Sequence, residues 1–193
     1  MIDNNRQLIH QDHLIGTVRF PLILLLDDVS DPANVGAIFR LADALGVERL
    51  ILCGHTVRPP NRRLGRTARS TDKVVAYECC DGLDAIVAGL QAQGYRMVAL
   101  ELTEQSIDLK ALDFGDLEKV CLILGGEQAG VRASLLEIVD YTVHIPMQGL
   151  NSSMNVATAC AIAVHEITRY LQGSVEVPEL TSSIEGGDEK AQK

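Results

Sequence analysis

Short aliphatic segments alternate along this chain with segments that carry helical signals, and no other feature limits the possible folds as strongly. Strands are predicted at 22–26, 49–53, 73–77, 96–100, 120–124 and 141–145. Helices are predicted at 34–45, 60–69, 81–93, 133–139 and 155–171, with a loop and a short helix at 103–115. Strands that alternate with helices form a parallel sheet. We therefore expect an α/β fold with a mostly parallel sheet and helices on both faces.

The chain divides into one large segment and two short flanking segments. Its 193 residues have the length of one domain with a small appendage. Residues 1–20 form a short N-terminal extension, and residues 21–172 form the expected domain. Residues 173–193 are rich in Ser, Gly and Glu and contain few large apolar side chains, so we expect a disordered tail.

Composition indicates a cytoplasmic protein. No run of about 18 apolar residues is present, so no membrane association is expected, and the polar N-terminus does not resemble a signal peptide. The five cysteines are odd in number, and the adjacent Cys79 and Cys80 do not form a CxxC motif, which favours reduced thiols. His and Cys residues do not cluster at ligand spacing, so no metal is expected.

The basic residues are concentrated in one segment of an otherwise acidic chain. The net charge is −9, yet residues 58–73 contain six basic side chains against one acidic residue, a local net charge of +5. These basic residues are Arg58, Arg62, Arg63, Arg66, Arg69 and Lys73. The segment is either a solvated helix face or a surface that contacts phosphates.

The last predicted helix has apolar or small residues nearly all the way round. Residues 156–164 include Val156, Ala159, Cys160, Ile162 and Val164. A helix without a polar face is buried on more than one side. We therefore expect the core on one side of this helix and a partner subunit, in a homodimer, on the other.

Three further segments contain residues that suit a ligand site. Residues 27–40 include Asn34 and Arg40, residues 122–131 form a strand followed by glycines, and residues 143–157 form a Ser- and Asn-rich loop before the last helix. Taken singly, Asn34 is a helix cap, Arg40 is a solvated residue opposite an apolar stripe, and Ser153 or Asn155 caps the last helix. Glycines after a strand form either an ordinary turn or a place where a ligand approaches the backbone.

Together, in this order, the three segments resemble the motifs of the SpoU (TrmH) branch of the SPOUT methyltransferases. The first resembles D-P-x-N-x-G-x-x-x-R and the second resembles G-x-E-x-x-G after a strand. The third resembles I-P-M-x-G-x-x-x-S-L-N-V-S-x-A, with Met154 in place of Leu and Ala157 in place of Ser. The similarity covers about residues 22–171.

The resemblance implies a fold and a cofactor. The family has a C-terminal trefoil knot, expected here at about 120–171, whose loops bind S-adenosylmethionine and through which the subunits dimerise. Such knots are exceptional. The residues implied for cofactor binding are Leu100, Glu101, Gly125, Gly126, Ile145, Met147, Ser153 and Met154.

The resemblance also implies an activity, the methylation of a ribose 2′-hydroxyl of RNA. Arg40 is expected to bind the substrate phosphate and orient the hydroxyl, because a guanidinium stays protonated and is a poor base. Asn34 is expected to place Arg40 or the ribose. Glu127 is expected to hold the active-site loop or the Arg40 region. Ser153 and Asn155 are expected to shape the loop beside the methyl donor.

The substrate is expected to be tRNA rather than rRNA. Many relatives carry a separate N-terminal RNA-binding domain, whereas about twenty residues precede the first strand here, so the basic segment is expected to carry much of the RNA contact. The alternatives are a base-methylating SPOUT enzyme, a catalytically silent RNA-binding or scaffold dimer, and a flavodoxin-like nucleotide-binding module.

Overall fold

A computed structural model describes residues 18–113, 115 and 117–172. Most of the expected N-terminal extension and the whole expected tail lie outside the described residues. The strands are β1 (Phe20–Asp27), β2 (Val47–Cys53), β3 (Tyr77–Cys80), β4 (Arg96–Leu100), β5 (Ile107–Asp108), β6 (Val120–Gly125) and β7 (Tyr141–His144). The α-helices are α1 (Pro32–Ala44), α2 (Arg62–Ala68), α3 (Leu83–Ala92), α4 (Ala133–Leu136) and α5 (Val156–Leu171).

The seven strands form one sheet in the order β3-β2-β1-β6-β4-β7-β5. Every neighbouring pair is parallel, and β1 and β6 lie at the centre, with Leu24 paired to Leu50 on one side and to Leu122 on the other. The α/β fold with a parallel sheet is confirmed. The trefoil knot stays a prediction. No helix in the described part of the chain is long and apolar enough to cross a membrane.

Two hydrophobic cores cover the two faces of the sheet. Because successive strand side chains point to opposite faces, alternate residues of β1 enter different cores. Leu22, Leu24 and Leu26 pack in the core that contains residues of α1, α2 and α5. Ile23 and Leu25 pack in the core that contains residues of α3 and α4. Helices therefore cover both faces, as the alternation predicts.

The start of α1 differs from the prediction. Asp31 is the N-cap, since its side chain accepts a hydrogen bond of 3.0 Å from the amide of Ala33, and Pro32 occupies the first turn. Pro lacks an amide hydrogen and suits this position. The helix thus begins before Asn34, and Asn34 is a buried residue of its first turn rather than a cap.

Several other element boundaries were wrong. The strand predicted at 73–77 lies at Tyr77–Cys80, because Arg69 and Ser70 adopt positive φ angles and lead into a 3₁₀ turn at Thr71–Lys73. The helix predicted at 133–139 is only one turn long. The two-residue strand β5 was missed, because so short a strand has no periodicity to detect.

Helix α5 has one buried face and one exposed face. Cys160, Ala163, Val164 and Ile167 are buried in the core, whereas Ile162 is exposed. Asn155 is the N-cap, as one of the two caps proposed for this helix. The exposed face is less apolar than the sequence indicated, because Thr158, His165 and Arg169 lie outside the core.

Candidate active site

The three motif segments meet at one edge of the sheet. The β1–α1 loop (residues 28–31), the β6–α4 loop (126–132) and the β7–α5 loop (145–155) all follow the carboxyl ends of strands. The carboxyl ends of neighbouring parallel strands lie at the same edge, which is where ligands of open α/β sheets bind. The sheet order therefore brings together residues as far apart in sequence as Asn34 and Asn155, which are separated by 121 positions.

A chain of hydrogen bonds connects one residue from each motif. The side-chain nitrogen Nδ2 of Asn34 donates to Glu127 Oε1 at 2.8 Å. Asn34 Oδ1 accepts from the side-chain nitrogen Nδ2 of Asn155 at 2.9 Å. Asn155 Oδ1 in turn accepts from the backbone amides of Ala157 and Thr158 at the start of α5. Because an ionised carboxylate only accepts, Glu127 determines the orientation of both amides. The orientations of the Asn34 and Asn155 side chains are thus determined from the Glu127 carboxylate to the start of α5.

Glu127 acts as an anchor for the β1–α1 loop. Besides Asn34, its carboxylate accepts hydrogen bonds from the backbone amides of Ser30 at 3.2 Å and Asp31 at 3.3 Å. Burial raises the pKa of Glu127, but the hydrogen bonds from Asn34, Ser30 and Asp31 outweigh burial and hold the pKa below its usual value. A carboxylate with a lowered pKa is a poor general base, so its chemistry here is to hold donors in place.

Arg40 does not join this chain of hydrogen bonds. It lies on α1 and is exposed, and it has no hydrogen bond or ion pair with any residue that the structure describes. The structure therefore brings Asn34, Glu127 and Asn155 into contact and leaves the Arg40 guanidinium available at the surface.

A cavity of about 990 Å³ opens beside the same loops. Its size is at the upper end of the range of roughly 300–1,000 Å³ that is usual for small-molecule sites. All eight residues predicted to bind the cofactor line it, as do Glu127 and Asn155: they are Leu100, Glu101, Gly125, Gly126, Ile145, Met147, Ser153 and Met154. Among the lining residues that the structure describes, the titratable side chains are Glu101, Glu127 and His144, and none is Lys or Arg.

The glycines of the second motif are needed for contacts within the chain. A Cβ atom on Gly125 would overlap the backbone of Gly130 and Val131, and one on Gly126 would overlap the backbone oxygen of Asp28. The close approach that only glycine permits is therefore made by the chain's own loops. Gly125 and Gly126 also line the cavity, and their contact with a cofactor stays a prediction.

Sequence reasoning missed the ion pair that joins two of the loops. Arg132 donates through Nε and Nη2 to the two carboxylate oxygens of Asp27, each at 2.5 Å, and Nη2 also lies 3.0 Å from Asp28 Oδ2. Asp27 ends β1 and is only 1% exposed. The amide of His55 donates to Asp28, and this hydrogen bond is the main cause that lowers the Asp28 pKa. The pairing of Asp27 and Asp28 directly after a strand was the only sequence signal.

Glu101 holds the other side of the β6–α4 loop. Its carboxylate accepts hydrogen bonds from the amides of Val131 at 2.9 Å and Leu102 at 3.0 Å. Glu101 was predicted to contact the cofactor, and in the structure its oxygens bind backbone amides beside the cavity.

The basic segment forms an exposed surface on α2, next to α1. Asn61 caps this helix, Leu64 and Ala68 face the core, and the side chains of Arg62, Arg63, Arg66, Arg69 and Lys73 are exposed. Nη2 of Arg63 lies 3.9 Å from Asp31 Oδ1, at the start of the helix that carries Asn34 and Arg40. Arg58 is apart from this group, since it pairs with Asp81 at 2.8 Å.

Two characterised relatives share most of this chain. A tRNA (guanosine(18)-2′-O)-methyltransferase of Escherichia coli K12 is 30% identical over 155 residues, which are 79% of this chain and 65% of that protein. The 23S rRNA (guanosine(2553)-2′-O)-methyltransferase RlmP of Bacillus subtilis is 32% identical over 145 residues, 75% of this chain and 57% of that protein. The chain thus spans less than two thirds of the length of these relatives.

Solved structures show the same architecture. The A. aeolicus TrmH/SpoU tRNA modifying enzyme matches with a TM-score of 0.74 at 27% identity, over 83% of this chain and 80% of that chain. An AdoMet-bound rRNA methyltransferase from Sinorhizobium meliloti matches with a TM-score of 0.74 at 30% identity, over 81% and 59%. A structure concerned with the 2-OH methylation of C/U at position 34 on tRNA matches with a TM-score of 0.68 at 29% identity, over 79% and 97%.

The match to a protein-family model extends over the whole site. It covers residues 21–165, which include all of β1 except Phe20, the residues that line the cavity, and the hydrogen-bonded chain from Glu127 to Asn155. The shared architecture and the three motifs agree with this match. The chain belongs to the SpoU rRNA methylase family.

Proposed function

We propose that this protein is an S-adenosylmethionine-dependent methyltransferase that acts on a ribose 2′-hydroxyl of RNA, with its catalytic unit in residues 21–172. The observation that carries the proposal is the hydrogen-bonded chain from Glu127 through Asn34 to Asn155. It ties together three motifs around one cavity. Relatives and structural neighbours include 2′-O-methyltransferases and an AdoMet-bound enzyme, which supports the same conclusion.

The charge of the cavity supports a sulfonium cofactor. In the described part of the chain, the lining residues include two carboxylates, Glu101 and Glu127, and no Lys or Arg. This lining suits a positively charged ligand and opposes a polyphosphate, because charges of one sign repel in a partly buried site. A flavodoxin-like nucleotide module is therefore disfavoured. S-adenosylmethionine supplies an electrophilic methyl group on its sulfonium sulfur.

Apolar walls and backbone groups would hold the adenosine part. The apolar surface is provided by Leu100 at the end of β4, Ile145 and Met147 after β7, and Met154 before α5. Ser153 adds a hydroxyl to the lining. The Glu127 carboxylate keeps the β6–α4 and β1–α1 loops closed against each other beside this surface.

Arg40 provides the contact to the substrate. Its guanidinium remains charged and is not neutralised by any carboxylate in the described part of the chain, so it can bind a phosphate oxygen next to the reacting ribose. Holding the phosphate fixes the 2′-oxygen, and the phosphate or water accepts the proton of the hydroxyl. Asn34 sits on the same helix, and its contacts with Glu127 and Asn155 hold that helix beside the cavity.

The RNA would lie across α1 and α2. The arginines of α2 are exposed and are close to the start of α1, so one negatively charged backbone can contact both helices. We propose tRNA as the substrate, because the structural neighbour that this chain covers almost completely concerns tRNA methylation. We further propose a cytoplasmic homodimer that contacts through the region of α5.

Transfer of a labelled methyl group to RNA tests the proposal. Purified protein, labelled S-adenosylmethionine and separate tRNA and rRNA fractions should give labelled tRNA. Alkaline hydrolysis then distinguishes the site, since a 2′-O-methyl group blocks cleavage and leaves a labelled alkali-resistant dinucleotide. Label confined to mononucleotides would establish a base methyltransferase. Cofactor and RNA binding without transfer would establish a silent RNA-binding dimer.

A further inference from the structure

Among the titratable residues that line the cavity in the described part of the chain, His144 is the one that the proposed mechanism does not use. It is the last residue of β7 and it lines the cavity, half-buried, next to the Ile145-Pro146-Met147 segment. Its Nδ1 lies 3.0 Å from the hydroxyl oxygen of Ser106. The role of the ring depends on which nitrogen carries the proton.

The surroundings of Ser106 determine the position of that proton. The hydroxyl oxygen of Ser106 is 2.8 Å from the carbonyl oxygen of Thr103, a distance at which two oxygens repel unless a proton lies between them. The single hydroxyl proton is therefore donated to Thr103. The same oxygen accepts a hydrogen bond of 2.9 Å from the Thr103 amide. It has no proton left for His144, so Nδ1 must be the donor in that contact.

The neutral ring then has a free acceptor. With the proton on Nδ1, the Nε2 atom carries a lone pair. Nε2 forms no hydrogen bond with the residues that the structure describes. Among the lining residues, Glu101 and Glu127 use their oxygens for backbone amides and Asn34, whereas His144 keeps an unused acceptor in a half-buried position.

We infer that His144 is a cofactor-binding residue, whose Nε2 accepts a hydrogen bond from an N–H or O–H group of S-adenosylmethionine. This inference rests on the proposed function, which places the cofactor in the cavity. The cofactor has suitable donors in its adenine amino group, its ribose hydroxyls and its methionine ammonium. Ser106 is a positioning residue in this arrangement, because it keeps the proton on Nδ1 and the lone pair on Nε2.

Two substitutions separate the two ring nitrogens. The amide nitrogen of Asn is bonded to Cγ, like Nδ1, so His144→Asn retains a donor for Ser106 but has no acceptor at the position of Nε2. The amide oxygen of Gln is as many bonds from Cα as Nε2, so His144→Gln retains that acceptor and loses the donor to Ser106. Binding of S-adenosylmethionine is measured by calorimetry, and folding of each variant is checked by thermal denaturation.

The expected result is opposite for the two variants. His144→Asn should weaken cofactor binding about 10-fold, as the loss of one hydrogen bond does, while His144→Gln should stay within about threefold of wild type. Normal affinity in His144→Asn with weak binding in His144→Gln and in Ser106→Ala would overturn the inference, since His144 would then act only on the Ser106 turn. Equal losses in His144→Asn and His144→Gln would overturn it too.

A second measurement follows the His144 ring directly by NMR. In protein labelled with ¹⁵N in its five histidines, the Nε2 signal of His144, assigned by its loss in His144→Asn, should shift when S-adenosylmethionine is added. An unchanged Nε2 signal at saturating cofactor contradicts the inference. Methylthioadenosine, which lacks the amino-acid part, locates the donor: a shift with this ligand assigns it to the adenosine, and a shift with S-adenosylmethionine alone assigns it to the ammonium. Wild-type protein that binds neither ligand would instead refute the proposed cofactor.

Discussion

At the scale of single residues, the site separates side chains that hold the structure from one that is available to a substrate. Glu127, Asn34 and Asn155 use their polar atoms on one another and on backbone amides. Arg40 has no such partner in the described part of the chain. Substitutions at these two kinds of residue should therefore affect different properties.

Arg40→Ala should abolish methyl transfer while folding and cofactor binding remain. Arg40 is exposed, and exposed substitutions usually change stability by less than about 0.5 kcal/mol. Misplacing the reacting hydroxyl should lower the single-turnover rate of methyl transfer by on the order of 100-fold or more. Arg40→Lys should restore little activity, because an ammonium lacks the planar pair of donors. Near-normal transfer by Arg40→Ala would remove the proposed role.

Glu127→Gln should lower stability in a pH-dependent way. The folded pKa of Glu127 lies below its ordinary value of 4.5, so the ionised carboxylate stabilises the folded state above about pH 4.5. This contribution disappears as the pH falls through the lower folded pKa. Because Glu127 is exposed, solvent screens its charge, and at neutral pH we expect a loss of about 1 kcal/mol or less in the free energy of unfolding, measured by urea denaturation.

The difference between wild type and Glu127→Gln should therefore shrink in acid. The control is Glu104→Gln, which changes an exposed carboxyl and should leave the pH dependence of the free energy of unfolding unaltered. A difference that is the same at neutral and at acid pH would contradict the anchoring role of the carboxylate.

At the scale of elements, ion pairs and packing hold the loops and helices that carry these residues. The Asp27–Arg132 pair joins the end of β1 to the segment before α4. Helix α2 packs against α1 so closely that a Cβ on Gly36 would overlap the backbone of Leu64, which places the α2 arginines beside the site.

Arg132→Ala should destabilise the protein more than an exposed arginine substitution. It leaves the carboxylate of Asp27, 1% exposed, without a partner. Breaking a fully buried pair costs about 3–5 kcal/mol, and the 40% exposure of Arg132 reduces the expected loss to about 2 kcal/mol. Arg96→Ala, which breaks the exposed pair with Asp140, should cost about 1 kcal/mol or less in the same urea experiment.

The double variant Asp27→Asn with Arg132→Ala tests the cause of that loss. It removes the buried charge, so it should be more stable than Arg132→Ala alone. If the double variant is less stable than Arg132→Ala, the unpaired Asp27 carboxylate does not explain the loss of stability.

Neutralising the α2 arginines should weaken RNA binding. Replacing Arg62, Arg63 and Arg66 by Gln should lower affinity and reduce the slope of log K against log salt by about 2–3, as the loss of three phosphate contacts requires. Cofactor affinity should not change.

A matched charge change at the opposite edge of the sheet is the control for α2. Arg19, Arg96 and Lys119 lie at or before the starts of β1, β4 and β6. Replacing these three by Gln should leave RNA affinity close to wild type. Equal effects of the two triple variants would indicate a response to net charge alone.

At the scale of the whole molecule, the exposed side of α5 bears on the oligomeric state. Ile162 is 42% exposed on the helix whose other face fills the core. Ile162→Asp should convert the proposed dimer to a monomer, because a charge would be buried without a partner. Ile138→Asp is the control, since Ile138 is also 42% exposed and lies beyond α4.

The oligomeric states of wild type and of the two variants are measured by light scattering at micromolar concentration. The prediction is a dimer for wild type and Ile138→Asp, and a monomer for Ile162→Asp. A monomeric wild type would refute the dimer, and a dimeric Ile162→Asp would place the interface elsewhere.

The sequence by itself determined the class of fold, the family and the motif residues to examine. The 22–26 and 120–124 segments were recognisable as strands because buried parallel strands are continuously aliphatic, and this pattern is contained within a few neighbouring residues. Motif residues such as Ile145 and Met147 lie directly after strands, so a parallel sheet brings them to one edge whatever the order of its strands.

The tertiary structure alone decided which side chains touch. The Asp27–Arg132 pair spans 105 positions and the Asn34–Asn155 contact spans 121, distances over which periodicity and propensity carry no information. Likewise, Asn34 is a reasonable helix cap by propensity, yet its contacts with Glu127 and Asn155 come from the placement of β6 beside β1 and of α5 beside α1. Local preferences act within a turn or a strand, whereas the partners of a polar side chain depend on strand order.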